Sequence, residues 1–225
     1  MRFKTWLAGA VAAGVLVASS TLVFSQEKKP DAKPAGKQEA AAGQPTPEQM
    51  EKAMKNMQEA GTPGENHRLL ADYMVGEWTY ENKMYHGPEP EVSKGTCTTK
   101  AFYDGRYVHA VHKGTINMPG ADGKPTEVPF EGTAMNGYDN VKKKFVGTWV
   151  DNFSTCIVVV EGTYDAKAKT ITYTGEMPDC MNDNKPCKFR EVIRLVSKDK
   201  HVLEWYQEMG GKESKTMEIT YTRKN

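Results

Sequence analysis

The chain has 225 residues, of which 30 are basic and 29 acidic, so its formal net charge is +1. Nucleic-acid affinity depends on a basic face that neutralises phosphates. The balanced charge argues against such a face, so we expect no nucleic-acid partner.

The first 25 residues have the composition of a signal peptide. Arg2 and Lys4 form a positive start, residues 6–23 are almost wholly apolar or small, and cleavage is expected after Ser25. The alternative is an uncleaved anchor, since about 18–20 apolar residues can just span a bilayer. We therefore predict an exported protein, periplasmic or extracellular, that contacts a membrane only if this segment is retained.

Residues 26–46 predict a flexible linker, because residues 26–45 include no aromatic or branched apolar side chain to bury. An amphipathic helix is predicted next, over residues 47–62. Thr46 and Gln49 have the spacing of a capping box, and methionines recur at helical intervals. The methionine face is interpreted as a lid over a cavity or as part of a helix that is docked or only loosely attached.

The remaining residues, 64–225, predict one domain that opens with a second, shorter helix. Asn66 is the expected N-cap, and four apolar side chains share the inward face: Leu69, Leu70, Tyr73 and Met74. We expect this helix to plug one end of the fold.

Strands and turns alternate at short spacing from Gly76 onward. Trp78, Tyr80 and Met84 share one face of the first strand, with charged side chains on the other. Ten such strands follow one another without another long helix. This hairpin ladder predicts an all-β fold, a ten-stranded antiparallel up-and-down barrel, because closure removes sheet edges.

Four cysteines, Cys97, Cys156, Cys180 and Cys187, are disulfide candidates in an exported chain. One pairing joins Cys180 to Cys187 across a loop and leaves Cys97 with Cys156. The rival joins Cys156 to Cys180, whose strands are expected to be hairpin partners.

Gly76, Trp78 and a basic residue at the end of the last strand, Arg223, resemble the pattern of the calycin superfamily, which includes lipocalins, fatty-acid-binding proteins and avidins. The resemblance implies that Trp78 packs beneath Arg223 at a closed barrel floor. A cation over an indole face contributes about 0.5–2 kcal/mol.

A second resemblance covers about residues 64–225 and rests on an ordered set of residues. The set is His67, Leu70, Gly76, Trp78, Gly105-Arg106, Gly137-Tyr138-Asp139, Trp149 and Asp151. It is similar to an exported bacterial family known as domain of unknown function 1579. No activity is assigned to that family, so the resemblance implies the fold alone.

No motif of the common hydrolases or nucleotide enzymes is present, and we predict no catalytic residue, metal or cofactor. His109 and His112 point to opposite faces of one strand and make a poor metal pair. His109, on the face of Tyr107 and Val111, is the candidate ligand for the alternative of a haem-binding calycin. Asp139 and Asp151 are interpreted as turn residues at opposite rims, too far apart for acid–base work.

The predicted inward faces are rich in aromatic side chains. Inward glycines, including Gly132, Gly137 and Gly147, indicate either a cavity or the coiling of a small barrel. We interpret the protein as a non-enzymatic binding protein that holds a small apolar or amphipathic molecule. The alternatives are an envelope or structural interaction module with a filled barrel, and a haem-binding or enzymatic calycin. The candidates for the cavity wall are Tyr80, Phe130, Tyr138, Phe145, Trp149 and Trp205.

Overall fold

A computed structural model describes residues 45–119, 125–179, 182–209 and 211–224. The predicted signal peptide, residues 1–25, and the predicted linker up to residue 44 lie outside the described residues, as does Cys180.

The first helix, α1 (Pro47–Gly61), begins with the predicted capping box. The Gln49 amide donates to Thr46 Oγ1 at 3.2 Å, and the Thr46 amide donates to Gln49 Oε1 at 2.8 Å. Every α1 residue is exposed, including Met54 and Met57. The methionine face therefore forms no lid.

Side chains of the barrel hold the C-terminal end of α1. The Asn140 Nδ2 donates to the carbonyls of Glu59, Ala60 and Thr62 at 2.8–3.2 Å, and Arg106 Nε donates to Gly61 O at 3.0 Å. These donors satisfy the last carbonyls of the helix, which have no partner within it. The helix is tethered at its C-terminal end, and its length packs along no other part of the chain that the structure describes.

The second helix, α2 (Glu65–Met74), plugs one end of the barrel as predicted. Its N-cap is Gly64 rather than Asn66, because His67 Nδ1 accepts the Gly64 amide at 3.0 Å. Leu70 is buried, and the other three predicted inward side chains are partly buried against the same core. None of the described helices is long and apolar enough to cross a membrane.

Ten antiparallel strands close into a barrel in which each strand pairs with the next and the last pairs with the first. The predicted all-β architecture is thus confirmed. The strands are β1 (Gly76–Met84), β2 (Glu91–Phe102), β3 (Tyr107–Pro119), β4 (Pro125–Asp139), β5 (Lys144–Asp151), β6 (Val158–Asp165), β7 (Thr170–Asp179), β8 (Lys185–Ser197), β9 (Lys200–Met209) and β10 (Lys212–Arg223).

Inward glycines make room for aromatic rings that lie flat across the neighbouring strand. A Cβ on Gly95 or Gly114 would lie within 2.5 Å of Tyr80, and one on Gly132 would meet the Trp149 ring at 2.3 Å. The rings occupy the space that the glycines leave, so these glycines serve ring packing against the wall. Gly137 faces outward, against Tyr107, contrary to the prediction.

The register corrects one predicted residue. His112 lies on the inner face of β3, opposite Cys97 and Gly132, so His109 points outward, where it contacts Phe102 at 5.4 Å. His109 as a ligand inside the barrel is therefore wrong. The prediction that the two histidines face opposite sides is confirmed.

The predicted Cys97–Cys156 disulfide is absent. Cys97, Cys156 and Cys187 carry free thiols. Cys97 lies on β2, while Cys156 precedes β6, four strands away around the barrel, and a disulfide requires Cα atoms within about 7 Å. Burial raises the pKa of the Cys97 thiol to about 11, which leaves it protonated and unreactive at neutral pH. Because Cys156 and Cys187 are free, the structure contains neither of the predicted pairings that join one of them to Cys180.

Candidate functional site: the barrel interior

The floor of the barrel is built around Trp78, which is completely buried. Its indole Nε1 donates to Met74 O at 2.9 Å, so the ring is fixed to the end of α2. Arg223 is its partner on β10, and the guanidinium carbon lies 4.2 Å from the centre of the indole ring. The structure thus brings together the two residues that the sequence predicted as a floor pair.

Arg223 joins three segments of chain at this floor. Its Nη1 donates to Val75 O at 2.7 Å, Nη2 donates to Lys198 O at 2.6 Å, and Nε lies 3.1 Å from the Asp199 carboxylate. Gly76 has φ +142°, and a Cβ there would lie 2.1 Å from Arg223 Nη1. Only glycine fits this position, because it needs both the unusual backbone and the space.

A column of ring contacts runs from the floor toward the middle of the lumen. The centre of the His201 ring lies 4.6 Å from the centre of the Trp78 ring. It lies 4.4 Å from the centre of the Tyr221 ring, on which it stacks. The Tyr221 hydroxyl and His112 Nε2 are 3.1 Å apart, and the His112 ring lies 5.3 Å from Trp149. Five inward rings from five strands therefore form one continuous contact chain.

Both histidines of this column are neutral at physiological pH. Burial lowers the pKa of His112 to about 4 and that of His201 to about 3, because the charged imidazolium would be desolvated. The Nδ1 atom of each ring is buried without a hydrogen-bond partner. The same holds for Tyr173 Oη and Asn82 Oδ1, so among the described residues four buried polar atoms of the interior lack partners.

Glu191 adds an acid to this interior. It lies on the inner face of β8, between Tyr173 on β7 and Trp205 on β9. Burial raises the pKa of the Glu191 carboxyl to about 7, because the carboxylate is removed from bulk water. The side chain nevertheless keeps accessible surface, being only half-buried by area. Since its strand position points inward, we assign that surface to the lumen.

Aromatic rings line the half of the lumen that lies away from α2. Trp205 stacks on Phe189 with 3.9 Å between ring centres, and Trp149 lies parallel to Phe130 at 6.2 Å. Trp149, Trp205 and Phe130 are each half-buried. They combine apolar faces with residual accessible surface, as a wall for an apolar guest requires.

The six predicted cavity residues thus fall into different parts of the interior. Phe130, Trp149 and Trp205 lie in the half away from α2, and Tyr80 lies near the middle, 6.0 Å from His112. Tyr138 and Phe145 instead pack the closed end, where Tyr138 meets His67 edge-on at 5.8 Å and Phe145 is 1 % exposed. Those two side chains fill the plug region.

Sequence reasoning missed His112, His201 and Glu191. A signal for Glu191 was present, since Phe189, Glu191, Ile193 and Leu195 alternate on one face of a strand. A single carboxylate among inward apolar residues is the unusual feature, since acids are seldom buried unless paired.

The two acids singled out in the sequence serve turns. The Asp139 Oδ1 accepts the amides of Val141 and Lys142, and the Asp151 Oδ1 accepts those of Phe153 and Ser154. The acids lie at opposite ends of the paired β4 and β5 strands, as predicted. Among the described residues, no group of three or more His, Cys, Asp or Glu side chains could hold a metal ion.

A family model matches residues 62–223, which span the α2 plug and all ten strands. Its description is "Protein of unknown function (DUF1579)". The chain belongs to this family. The match confirms the family resemblance drawn from the sequence, and no curated protein matches the chain.

Two solved structures are similar to this DUF1579 chain at low identity. A redesigned β-barrel is 16 % identical, with a TM-score of 0.33 over 71 % of this chain and 96 % of its own. A protein of unknown function from the DUF3598 family of Nostoc punctiforme is 6 % identical, with a TM-score of 0.24 over 72 % of this chain and 100 % of its own. Scores this low add nothing to the fold described above.

Proposed function

We propose that this protein is an exported, non-enzymatic binding protein that holds a small apolar or amphipathic molecule inside the barrel. The observation that carries the proposal is that half-buried inward aromatic rings occur in the same barrel as buried polar atoms that have no partner among the described residues. Ligand sites characteristically pair an apolar lining with a few fixed polar groups. Export is supported by the signal-peptide composition of residues 1–25.

The buried polar atoms without hydrogen-bond partners destabilise the interior, and a bound molecule would supply the missing partners. Leaving a buried donor or acceptor unsatisfied costs about 1–3 kcal/mol. His112 Nδ1, His201 Nδ1 and Tyr173 Oη are buried inside the barrel without partners among the described residues. A guest whose entry moves the surrounding side chains and brings polar groups to these atoms would remove that cost. A fully packed apolar core would contain no such atoms.

Native mass spectrometry of protein purified from its own host tests the proposal. We expect a mass above that of the polypeptide, with the excess lost on denaturation and recovered by solvent extraction. Ala134→Phe, at an inward position between Ala110 and Trp149, should lower ligand occupancy by filling the lumen. Thr148→Phe, on the exposed face of β5, should leave occupancy unchanged. A native mass equal to that of the polypeptide, together with a barrel interior filled by side chains, would contradict the proposal.

A second candidate function is an interaction module that uses the linker as a tether. Exposed apolar side chains favour it, since Met54, Met57, Tyr103 and Val141 are each at least 70 % exposed. The exposed methionine face of α1 packs against nothing in the described chain. For an interaction module we expect no bound small molecule. We expect instead a partner protein that co-purifies with the native chain and no longer co-purifies when Met54 and Met57 are both changed to Gln.

A further inference from the structure

We propose that the guest in the lumen is an amphipathic cation, an alkyl amine or quaternary ammonium, whose charged head pairs with Glu191. The inference rests on the proposed function and deepens it by naming the chemical class of the ligand. It is carried by the position of Glu191, its lack of a partner, and the rings beside it.

Glu191 differs from the paired acids on the barrel exterior. Each of these has a basic partner at 2.6 Å: Glu161 pairs with Lys142, Glu204 with Arg194, and Glu213 with Arg190. The Glu191 carboxyl makes no hydrogen bond or ion pair within the part of the chain that the structure describes. An inward carboxyl without a partner is stabilised in its charged form by an ion pair, so a cation supplied from outside the chain would find an unpaired acid here.

The described interior supplies no cation for this carboxylate. Arg223 lies at the floor, where its guanidinium is committed to Val75 O, Lys198 O and Asp199. His112 and His201 are uncharged at neutral pH. An incoming ammonium would therefore be the first positive charge to reach Glu191.

The surroundings of Glu191 also suit an ammonium head with an alkyl tail. Trp205 is its direct neighbour on β9 and presents an indole stacked on Phe189. Indole faces attract cations, most strongly where water is excluded. Leu203 and Ile219 lie on the same inner wall, as cross-strand partners, and offer apolar contacts for a tail. An alkyl carboxylate would instead meet like charge at Glu191, and an alkyl alcohol would gain the apolar contacts alone.

Titration with three probes of equal chain length tests the proposal. We would titrate octyltrimethylammonium, octanol and octanoate into the purified protein and follow tryptophan fluorescence and the heat of binding. We expect octyltrimethylammonium to bind at least about tenfold more tightly than octanol, with octanoate the weakest. Glu191→Gln should abolish the preference for the cation while octanol binding is retained. Glu176→Gln, on the exposed face of β7, should keep it.

The outcomes separate this proposal from the function on which it rests. Equal binding of octyltrimethylammonium and octanol, or tighter binding of octanoate, overturns the cation proposal but leaves a binding lumen in place. A cation preference that survives Glu191→Gln also overturns it. Binding of no probe at all contradicts the proposed function itself. Glu191→Gln is expected to fold, because the amide keeps the size of the side chain and removes a buried charge; thermal unfolding checks this.

Discussion

At the scale of single residues, Arg223 determines how the closed end is held together. It contacts the Trp78 ring, the carbonyl that ends α2, and the β8–β9 turn through one planar group with several donors. A lysine has one rotatable ammonium and cannot match this fork of donors.

We therefore expect Arg223→Lys to lower the free energy of unfolding by about 2–3 kcal/mol, since carbonyls of the floor lose their donors. Urea unfolding followed by tryptophan fluorescence measures the change. Arg190→Lys is the matched control, because Arg190 forms a two-pronged pair with Glu213 on the outer face. That change should cost under about 1 kcal/mol. Equal losses for the two variants would contradict the role assigned to Arg223.

The buried histidines make the fold sensitive to acid. The pKa of His201 is lowered to about 3 in the folded protein from about 6.5 in the unfolded chain. As pH falls, the imidazole of the unfolded chain is therefore protonated at a higher pH than that of the folded protein. The stability contributed by neutral His201 is complete above pH 6.5 and is lost as pH falls from about 6.5 toward 3.

His201→Phe should reduce this acid sensitivity, because phenylalanine keeps the stack on Tyr221 and cannot be protonated. Between pH 7 and pH 4, the variant should lose up to about 3 kcal/mol less unfolding free energy than the native protein. His86→Phe, at an exposed loop position, is the control and should follow the native curve. Parallel curves for His201→Phe and the native protein would rule out His201 as an origin of acid lability.

The histidines also show what strand alternation alone can predict. Alternation places His109 and His112 on opposite faces, and the structure agrees. Which face is inner depends on the neighbouring strands, because His112 lies opposite Cys97 and Gly132 in the register. That information is not local to β3, so the choice of His109 was wrong. The pairing of Trp78 with Arg223 was predicted from the resemblance to the calycin pattern, which supplied the non-local information that strand alternation lacks.

At the scale of elements, the curvature of the wall depends on rings packed over glycines. Gly95 faces inward on β2, and a Cβ there would lie 2.3 Å from Lys113 O and 2.4 Å from the Tyr80 ring. The backbone carbonyl belongs to the paired strand and cannot move without disturbing the ladder.

Gly95→Ala should therefore lower the free energy of unfolding by about 1–3 kcal/mol through overpacking. Gly87→Ala is the control, because no atom lies within 4 Å of the position that its Cβ would take. That substitution should change stability by less than about 0.5 kcal/mol. Denaturant midpoints at constant m-value measure both. A neutral Gly95→Ala would show that Tyr80 and the strand pair have room to shift.

Helix α1 shows what an amphipathic sequence pattern predicts and what it does not. Its start was correctly predicted, since Thr46 and Gln49 form the cap within one turn of chain. Its amphipathic spacing was interpreted as a lid, a docked helix or a loosely attached helix, and the exposed apolar face agrees with loose attachment alone. Amphipathicity specifies that a helix has a face to bury, and only a complementary surface elsewhere in the molecule decides whether this chain buries it.

At the scale of the whole molecule, closure joins the two ends of the folded domain. Thr79 on β1 donates to Thr222 O on β10, a contact between residues 143 positions apart. Bringing together residues so far apart in sequence costs loop-closure entropy before their contacts repay it.

We expect refolding after dilution from urea to take milliseconds to seconds, as is usual for proteins dominated by non-local strand pairs. Stopped-flow tryptophan fluorescence measures the rate, and Trp78 contributes to the signal from the strand that pairs with β10. Trp78 sits against α2 and both flanking strands. Relaxation in microseconds would contradict closure as the slow step. Double-jump experiments provide the control, because they separate a proline phase, which takes tens of seconds.

The pairing of β1 with β10 has a further consequence for encounters between copies of the protein. In an open sheet, the outermost strand presents a row of unpaired main-chain groups that a neighbouring polypeptide can extend. Here each of the ten strands has a hydrogen-bonded neighbour on either side. Where a strand is paired on both sides, as β1 is over residues 78–84, self-association must therefore use side chains, and single substitutions on the exterior can tune or abolish it. The main-chain groups open to a neighbouring polypeptide are confined to the outer ends of hairpins such as β3–β4, where residues 115–119 pair with β4 alone.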